Sequence, residues 1–379
     1  MNFCKRCVYP NTKPDLIINE EGVCNACVSF ENRKDIDWRK REKEFRNLVS
    51  ERRYQIHNSN YDCIVPVSGG KDSHFQIIKA LEYGLTPLAV TATTDDLSTI
   101  GRRNLNNIGK LGVDHIEIST NSALRRKINN YTLHVIGDIS WAEHVAIFTI
   151  PIREAIIRNI PLVIWGENPQ NEYGGPEEDK SEMKISWLQE FGGLNGLRVS
   201  DLIEKEIATE KELYQYIMPN RDLAGQAGIF NTKNIFLGYY FPWDGKYNAE
   251  LAQRHGFEVY HTDVEGTGVN YENLDNHQTG IHDYFKWLKF GFGRATDIAC
   301  NHIRRGYITR EEGKESVWMY DGKFPSTYLG KSLEDILTNI GMTIDEFMVI
   351  ADKFTNKAVF EPRLKNNPRP KLKKHPMSI

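Results

Sequence analysis

The stretch Tyr61-Asp62-Cys63-Ile64-Val65-Pro66-Val67-Ser68-Gly69-Gly70-Lys71-Asp72-Ser73-His74-Phe75-Gln76 decides the fold. Cys63 to Val67 is a short apolar run that reads as a buried strand, and it ends in a glycine turn. After the turn, Phe75, Ile77, Ile78 and Leu81 recur at helical spacing. Strand, glycine turn and helix in that order make an anion cradle. Gly69 and Gly70 let backbone N–H groups approach a phosphate without side-chain interference. The helix that starts near Asp72 aims its positive end at the same spot. Ser68 and Ser73 add hydroxyls, and Lys71 can offset charge. Asp72 cannot favour phosphate directly, so its expected role is to hold Mg²⁺. The spacing GxxxxGK[ST] is absent, which excludes the phosphate loop of kinases and GTPases.

The alternation continues outward. Pro87 to Thr91 reads as a second strand, followed by a helix marked by Ile100, Leu105, Ile108 and Leu111. His115 to Ile118 reads as a third strand, and a long apolar helical region spans 141–158, with Pro151 as a kink or restart. Leu162 to Trp165 reads as a fourth strand, ending at Gly166. Strands alternating with helices predict an α/β fold, a parallel sheet flanked by helices. Ligands bind such sheets at the carboxyl ends of the strands. The 68–73 loop and Gly166-Glu167-Asn168 would both lie there. Glu167, Asn168 and Asn171 could orient ATP or a metal, or form a plain polar turn; the residues favour neither reading.

Cys4-x2-Cys7 and Cys24-x2-Cys27 are separated by sixteen residues. Four thiolates at this spacing can surround one Zn²⁺ in a closed, structural site, with an iron–sulfur cluster as the lesser alternative. A module this short has too little core of its own, so the metal would supply stability. Cys63 and Cys300 stand alone and read as small buried hydrophobes. The rest of the composition is ordinary for a globular chain, with 40% hydrophobic and 26% charged residues. Lys and Arg number 48 against 51 Asp and Glu, a net charge of −3, so no global charge draws the chain to nucleic acid. No apolar run reaches the length of a membrane span, and the first residues lack a long apolar stretch. The cytoplasm is the expected location.

The strand–SGGKDS–helix arrangement resembles the PP-loop of N-type ATP pyrophosphatases, of the adenine nucleotide alpha-hydrolase-like fold. Members cleave ATP between the α and β phosphates, pass AMP to a carbonyl-type oxygen and hold pyrophosphate in this loop. More closely, the order of cysteine module, charged helix and DCIVPVSGGKDSHFQ resembles the N-acetyl sugar amidotransferase family of the WbpG and PseA types. The resemblance takes in Phe3-Cys4-x2-Cys7, the 68–73 loop, Trp165-Gly166-Glu167-Asn168, and Lys289-Phe290-Gly291-Phe292-Gly293-Arg294-Ala295. It implies conversion of a sugar acetamido group to an acetamidino group, through an O-adenylated intermediate and ammonia, on a nucleotide-linked N-acetyl sugar. The setting it implies is bacterial O-antigen lipopolysaccharide or flagellin-sugar biosynthesis.

A glutaminase would need a cysteine in a Gly-x-Cys-x-Gly turn or at the N-terminus; neither Cys63 nor Cys300 has such neighbours, and residue 2 is Asn. The resemblance therefore implies a synthetase subunit fed by a HisH-like glutaminase, with a HisF-like protein as a further partner. A tRNA-thiolating PP-loop enzyme is the alternative. It would bring further catalytic cysteines, of which only Cys63 and Cys300 are available.

The expected organisation is a zinc-ribbon module over 1–30, a helical connector over 31–57, the ATP pyrophosphatase core over 58–175, a mainly helical substrate or partner region over 176–361, and a basic tail over 362–379. Lys289 and Arg294 could neutralise phosphate or be solvated charges. Tyr239, Tyr240, Phe241 and Trp243 could stack on a sugar, with core packing the better reading. His261, Asp263, His277, His282 and Asp283 suggest acid–base work or a second metal, against the plainer reading of scattered polar positions. Residues 332–340 and 343–354 read as two packed helices, ahead of a helix-turn-helix. The tail carries six Lys/Arg and four prolines, which predicts mobility.

Overall fold

The computed structural model describes residues 1–55, 60–173, 181–182, 196–219, 232–362 and 368–378. Five parallel strands form one sheet: β1 (Cys63–Pro66), β2 (Pro87–Ala92), β3 (Asp114–Ile118), β4 (Leu162–Trp165) and β5 (Lys233–Phe236). Their order is β3-β2-β1-β4-β5. The main helices are α1 (Asn25–Asn32), α2 (Trp38–Gln55), α3 (Lys71–Glu82), α4 (Thr99–Lys110), α5 (Ser122–Ile136), α6 (Trp141–Ile157), α7 (Gly245–Arg254), α8 (Thr279–Phe290), α9 (Arg294–Arg304), α10 (Arg310–Tyr320), α11 (Leu333–Thr338) and α12 (Ile344–Phe354).

Successive residues of a strand face opposite ways, and here both faces are buried. Ile64, Leu88, Val90, Val163, Trp165 and Phe236 join one core with Trp141, Val145 and Ile150 of α6. Val65, Ala89, Leu162, Ile164 and Ile235 join the other, with Phe45 of α2, Phe75 and Ile77 of α3 and Leu105 of α4. The chain steps from β1 outward to β2 and β3, then returns to the far side of β1 as β4. That reversal opens a crevice at the carboxyl ends of β1 and β4. It is the reason the 68–73 and 166–168 segments meet.

The four strands read from the sequence are present, and Pro151 sits inside a single helix, α6. Two elements are additional. Helix α5 fills the stretch after β3. Strand β5 interrupts the region expected to be mainly helical and pairs with β4 from Leu162↔Lys233 to Trp165↔Phe236. Four residues are too few to display a period of two against their surroundings.

A further core gathers Phe285, Leu337, Phe347 and Ile350 of α8, α11 and α12 with Ile100 of α4 and Leu133 of α5. Thr343 and Glu346 close a reciprocal cap on α12, as their spacing predicts. The two late helices are packed helices. Among the described residues no helix is long and apolar enough to cross a membrane.

The expectation of a mobile tail needs correction over 368–378. Leu372 is buried and bridges Phe360. Tyr284 Oη donates to the Pro368 carbonyl at 2.6 Å, and Arg369 Nη2 donates to the Trp318 and Asp321 carbonyls, each at 2.7 Å. An apolar side chain that covers a core and an arginine that satisfies helix-end carbonyls outweigh the local excess of charge and proline. A chain ending at Pro362 is expected to lose about 2–4 kcal/mol of stability in thermal or denaturant unfolding; an unchanged midpoint would refute this packing.

Candidate active site and metal centre

Gly69 has φ +85°, and a Cβ there would lie 2.8 Å from the Leu105 backbone nitrogen. Helix α4 thus presses on the turn, and only glycine fits. Gly70 caps α3 in an extended conformation. Ser68 N–H donates to Ser73 Oγ at 3.0 Å, and Gly70 N–H reaches Ser68 Oγ at 3.4 Å. The loop's serines therefore shape the turn, leaving the first-turn amides of α3 without intrahelical acceptors. His74, fully buried, braces the turn from behind: Nδ1 lies 3.0 Å from the Gly70 carbonyl, and Nε2 lies 3.1 Å from Asn107 Nδ2. Burial pushes its pKa down, which favours the neutral ring that both contacts require.

Lys71 is only 6% exposed. Its Nζ lies 2.7 Å from Asp72 Oδ2 and 2.6 Å from Glu272 Oε1. Burial works against its charge, but the two carboxylates prevail and hold its pKa well above the ordinary lysine value. Asn248 Nδ2 donates to Asp72 Oδ1 at 2.8 Å. Around this group lies a cleft lined also by Glu167, Glu172, Trp243, Asp244, Lys246, Tyr271, Asn301, His302 and Arg305. Glu172 accepts from Arg33 at 2.5 Å and from Arg305 at 2.9 Å. Burial raises its pKa less than the two guanidinium groups lower it. Burial, then the nearby Asp72 carboxylate, push Glu167 up to about 7.

Among the described residues, five carboxylates (Asp72, Glu167, Glu172, Asp244, Glu272) line this cleft with three cations (Lys71, Lys246, Arg305), and Arg33 adds a fourth through Glu172, so carboxylates still outnumber cations. Such a surplus suits a divalent cation brought with phosphate, and Asp72 and Glu167 offer the oxygen donors.

Of the residues singled out in the sequence, Ser68 to Ser73 and Glu167 come together. Gly166 backs the cleft, where a Cβ would meet the Trp243 ring at 3.1 Å. Asn168 is buried behind it, its carbonyl accepting from Glu172 N–H at 3.2 Å. The side chain of Asn171 lies outside the described residues. Arg294 is paired with Asp283 at 3.5 Å and Asp297 at 3.8 Å, and only its field reaches Tyr173 and Glu272. Lys289 is not among the cleft-lining residues: its Nζ lies 3.3 Å from the Ile136 carbonyl. The reason is the chain reversal at Gly291, φ +75°, which puts Lys289 on α8 and Arg294 on α9.

Tyr240, Phe241 and Trp243 pack on Phe45, Tyr83 and Phe75 as core, and Trp243 also lines the cleft. The group from His261 to Asp283 disperses, in keeping with the plainer reading of scattered polar positions: Asp263 accepts from Tyr320 Oη at 2.6 Å, His277 sits beside Asp96, and His282 turns to Asp138. Sequence reading missed Glu172, Asn248, Glu272, Arg305 and His74. His74 lies inside the loop motif but carries no signal of its own, and each of the others is a single polar residue with no motif around it.

The four N-terminal cysteines converge, all four sulfurs lying within 4.8 Å of one another. Cys4–Cys27 is 4.0 Å and Cys7–Cys24 is 3.7 Å. Tetrahedral metal–sulfur bonds of about 2.3 Å place sulfurs about 3.8 Å apart, so the set fits one ion. Cys24 N–H lies 3.3 Å from Cys4 Sγ. The module seats on the C-terminal half: Arg310 donates to the Cys7 and Cys4 carbonyls at 3.1 and 3.2 Å, and Tyr9 Oη donates to Asp297 Oδ1 at 2.8 Å. Cys300 is buried in the same cluster.

Two outcomes follow from this geometry. Glu167 holds its proton to about pH 7 in the folded chain, against 4.5 in the free side chain. Folding is therefore penalised increasingly as pH rises from about 4.5 to about 7, fully above that, and not in acid. In thermal unfolding without nucleotide, Glu167→Gln is expected to stabilise the chain by roughly 1–3 kcal/mol near pH 8 and much less near pH 5; equal gains at both would contradict it. For the cysteine centre, Cys24→Ser or a strong chelator should open residues 1–30 to limited proteolysis before the sheet region is cut. Simultaneous cleavage of both would count against a metal-held module.

A comparison with the curated proteins found no match. Among solved structures, the chain is similar to an NH3-dependent NAD synthetase from Campylobacter jejuni in complex with the nitrate ion: 15% identity, TM-score 0.29, covering 51% of this chain and 93% of that one. It is likewise similar to NMN synthetase from Francisella tularensis: 15% identity, TM-score 0.29, covering 58% and 96%. The family model described as "LPS biosynthesis protein WbpG-like, C-terminal domain" matches residues 258–369. That stretch supplies Glu272 and Arg305 to the cleft and Arg310 to the cysteine module. Residues 258–369 of this chain are thus similar to the C-terminal domain of WbpG-like proteins, and the 289–295 motif lies within that stretch.

Proposed function

We propose that the chain is the AMP-forming synthetase subunit of an N-acetyl sugar amidotransferase, acting in bacterial O-antigen or flagellin-sugar biosynthesis. The observation that carries this reading is the Ser68–Ser73 turn, pressed by α4 into a shape only Gly69 allows, at the mouth of a cleft walled by the WbpG-like stretch.

An amide oxygen is a poor leaving group. In this reading it attacks the α-phosphorus of ATP, pyrophosphate departs, and the oxygen becomes part of an AMP leaving group. Ammonia then attacks the imidate carbon, AMP leaves, and an acetamidino group remains. The loop amides and the N-terminus of α3 hold the departing pyrophosphate. Lys71 exchanges a carboxylate partner for phosphate oxygens. Asp72 and Glu167 would hold Mg²⁺, which when bound supplies charge neutralisation on the phosphates. Arg305 and Lys246 counter charge on the far wall. Zn²⁺ in the four-cysteine site would be structural, since all four positions are protein sulfurs. Ammonia would come from a HisH-like glutaminase, with a HisF-like protein as a further partner.

The thiolase alternative is less well supported. Cys63 is in the sheet core and Cys300 packs on the cysteine module, so no thiol lines the cleft among the described residues.

Incubation with ATP, Mg²⁺, ammonium and candidate UDP- or CMP-linked N-acetyl sugars is expected to give AMP and pyrophosphate, in step with a sugar product lighter by about one dalton on mass spectrometry. Asp72→Ala should lower kcat/KM by about 10²-fold or more while the chain stays folded. ADP and inorganic phosphate in place of AMP and pyrophosphate would reject the reading.

A further inference from the structure

We propose that Asp138, His144 and His282 form a second metal centre, for a divalent transition ion of the Zn²⁺ class. The proposal goes beyond the reaction above and does not depend on it.

The three residues come from three segments: the turn between α5 and α6, the first turn of α6, and the first turn of α8. Their ligand-capable atoms nonetheless all lie within 4.8 Å of one another. The Asp138 side chain is fully buried. Its Oδ1 lies 3.0 Å from His282 Nδ1 and accepts from Ser140 N–H at 2.8 Å. Its other oxygen, Oδ2, lies 3.9 Å from His144 Nδ1.

A plain reading, in which Asp138 caps α6 and pairs with His282, accounts for Oδ1. It does not account for His144. Among the described residues His144 Nδ1 is buried, has no hydrogen-bond partner, and faces the carboxylate across a gap too wide for a hydrogen bond. A buried ring nitrogen left so is costly. Two ligands on one ion, with bonds of about 2.1 Å, stand about 3.0–3.4 Å apart. The gap is thus about half an ångström from ligating distance, and a side-chain rotation closes it.

Two imidazoles and one carboxylate are the donors of Zn²⁺ and its first-row neighbours, whereas Mg²⁺ and Ca²⁺ prefer all-oxygen sets. The centre therefore differs in chemistry from both the carboxylate-walled cleft and the four-thiolate module. Three protein ligands leave a position open, and the two histidine side chains are 28% and 25% exposed, so a water or substrate oxygen can reach the ion. Helix α6 runs into β4, so its first turn lies at the carboxyl edge of the sheet, the edge that also carries the nucleotide cleft.

The test uses the full chain. After equilibrium dialysis against micromolar Zn²⁺, metal analysis should give about two ions per chain, one of them held by the cysteines. His144→Ala and His282→Gln should each lower this to about one, with the thiolate-to-cobalt charge-transfer band of the Co²⁺-loaded protein retained as the mark of an intact cysteine site. One ion in the unmodified chain, or two in both variants, overturns the proposal. In the unmodified chain, adding the second Co²⁺ equivalent should shift imidazole N–H proton signals from two histidines. Absence of those signals overturns the proposal even if the variants fail to fold.

Discussion

An ammonium group held out of water must be paired, and Lys71 is paired from both halves of the chain. Asp72 beside it belongs to the glycine turn, and Glu272 belongs to the region beyond the sheet. The Lys71 side chain is therefore held by both halves at once. Further links converge on the same edge: Asn248 on Asp72, the Ser98 amide on the Asp275 carbonyl at 2.8 Å, and the bridge between Leu97 and Asn276. The α/β half supplies the glycine turn with Lys71, Asp72 and Glu167, and the helical half supplies Asp244, Lys246, Glu272 and Arg305. The cleft is a property of their junction.

Much of the sheet half was legible because its signals are local. A fully buried parallel strand shows as an apolar run, and a phosphate turn shows as adjacent glycines before a helix; Cys63 to Ile78 contains both. The paired cysteines were legible for a similar reason, since metal ligands come in short knuckles. The walls of the cleft were not. Glu172, Asn248, Glu272 and Arg305 meet only after the chain has reversed at β4 and folded back through α9, and no spacing along the sequence encodes that. Lys289 and Arg294 mark the opposite failure. They share a motif, but Gly291 sends them to different helices. The tail misled because its charge and proline content concealed Leu372 and Arg369, whose partners lie on distant helices.

The distribution of charge in the cleft is also informative. A site built to hold phosphate by cations alone would be positive. Among the described residues this one keeps more carboxylates than cations, and burial with the closeness of Asp72 raises the Glu167 pKa. The proposed nucleotide site would thereby divide its attraction between neutral amide donors of the turn, which do not titrate, and a divalent ion, whose entry would depend on ionised carboxylates.

Helix α9 has neighbours on two sides. Cys300 packs into the cysteine module, and Arg304 stands over the Tyr9 ring. Asn301, His302 and the following Arg305 line the cleft. Adjacent residues on a helix are about 100° apart around its axis, so a small roll that relaxed one flank would drag the other by several tenths of an ångström. The cysteine module and the cleft wall thus share one axle, and slack at either end is felt at both.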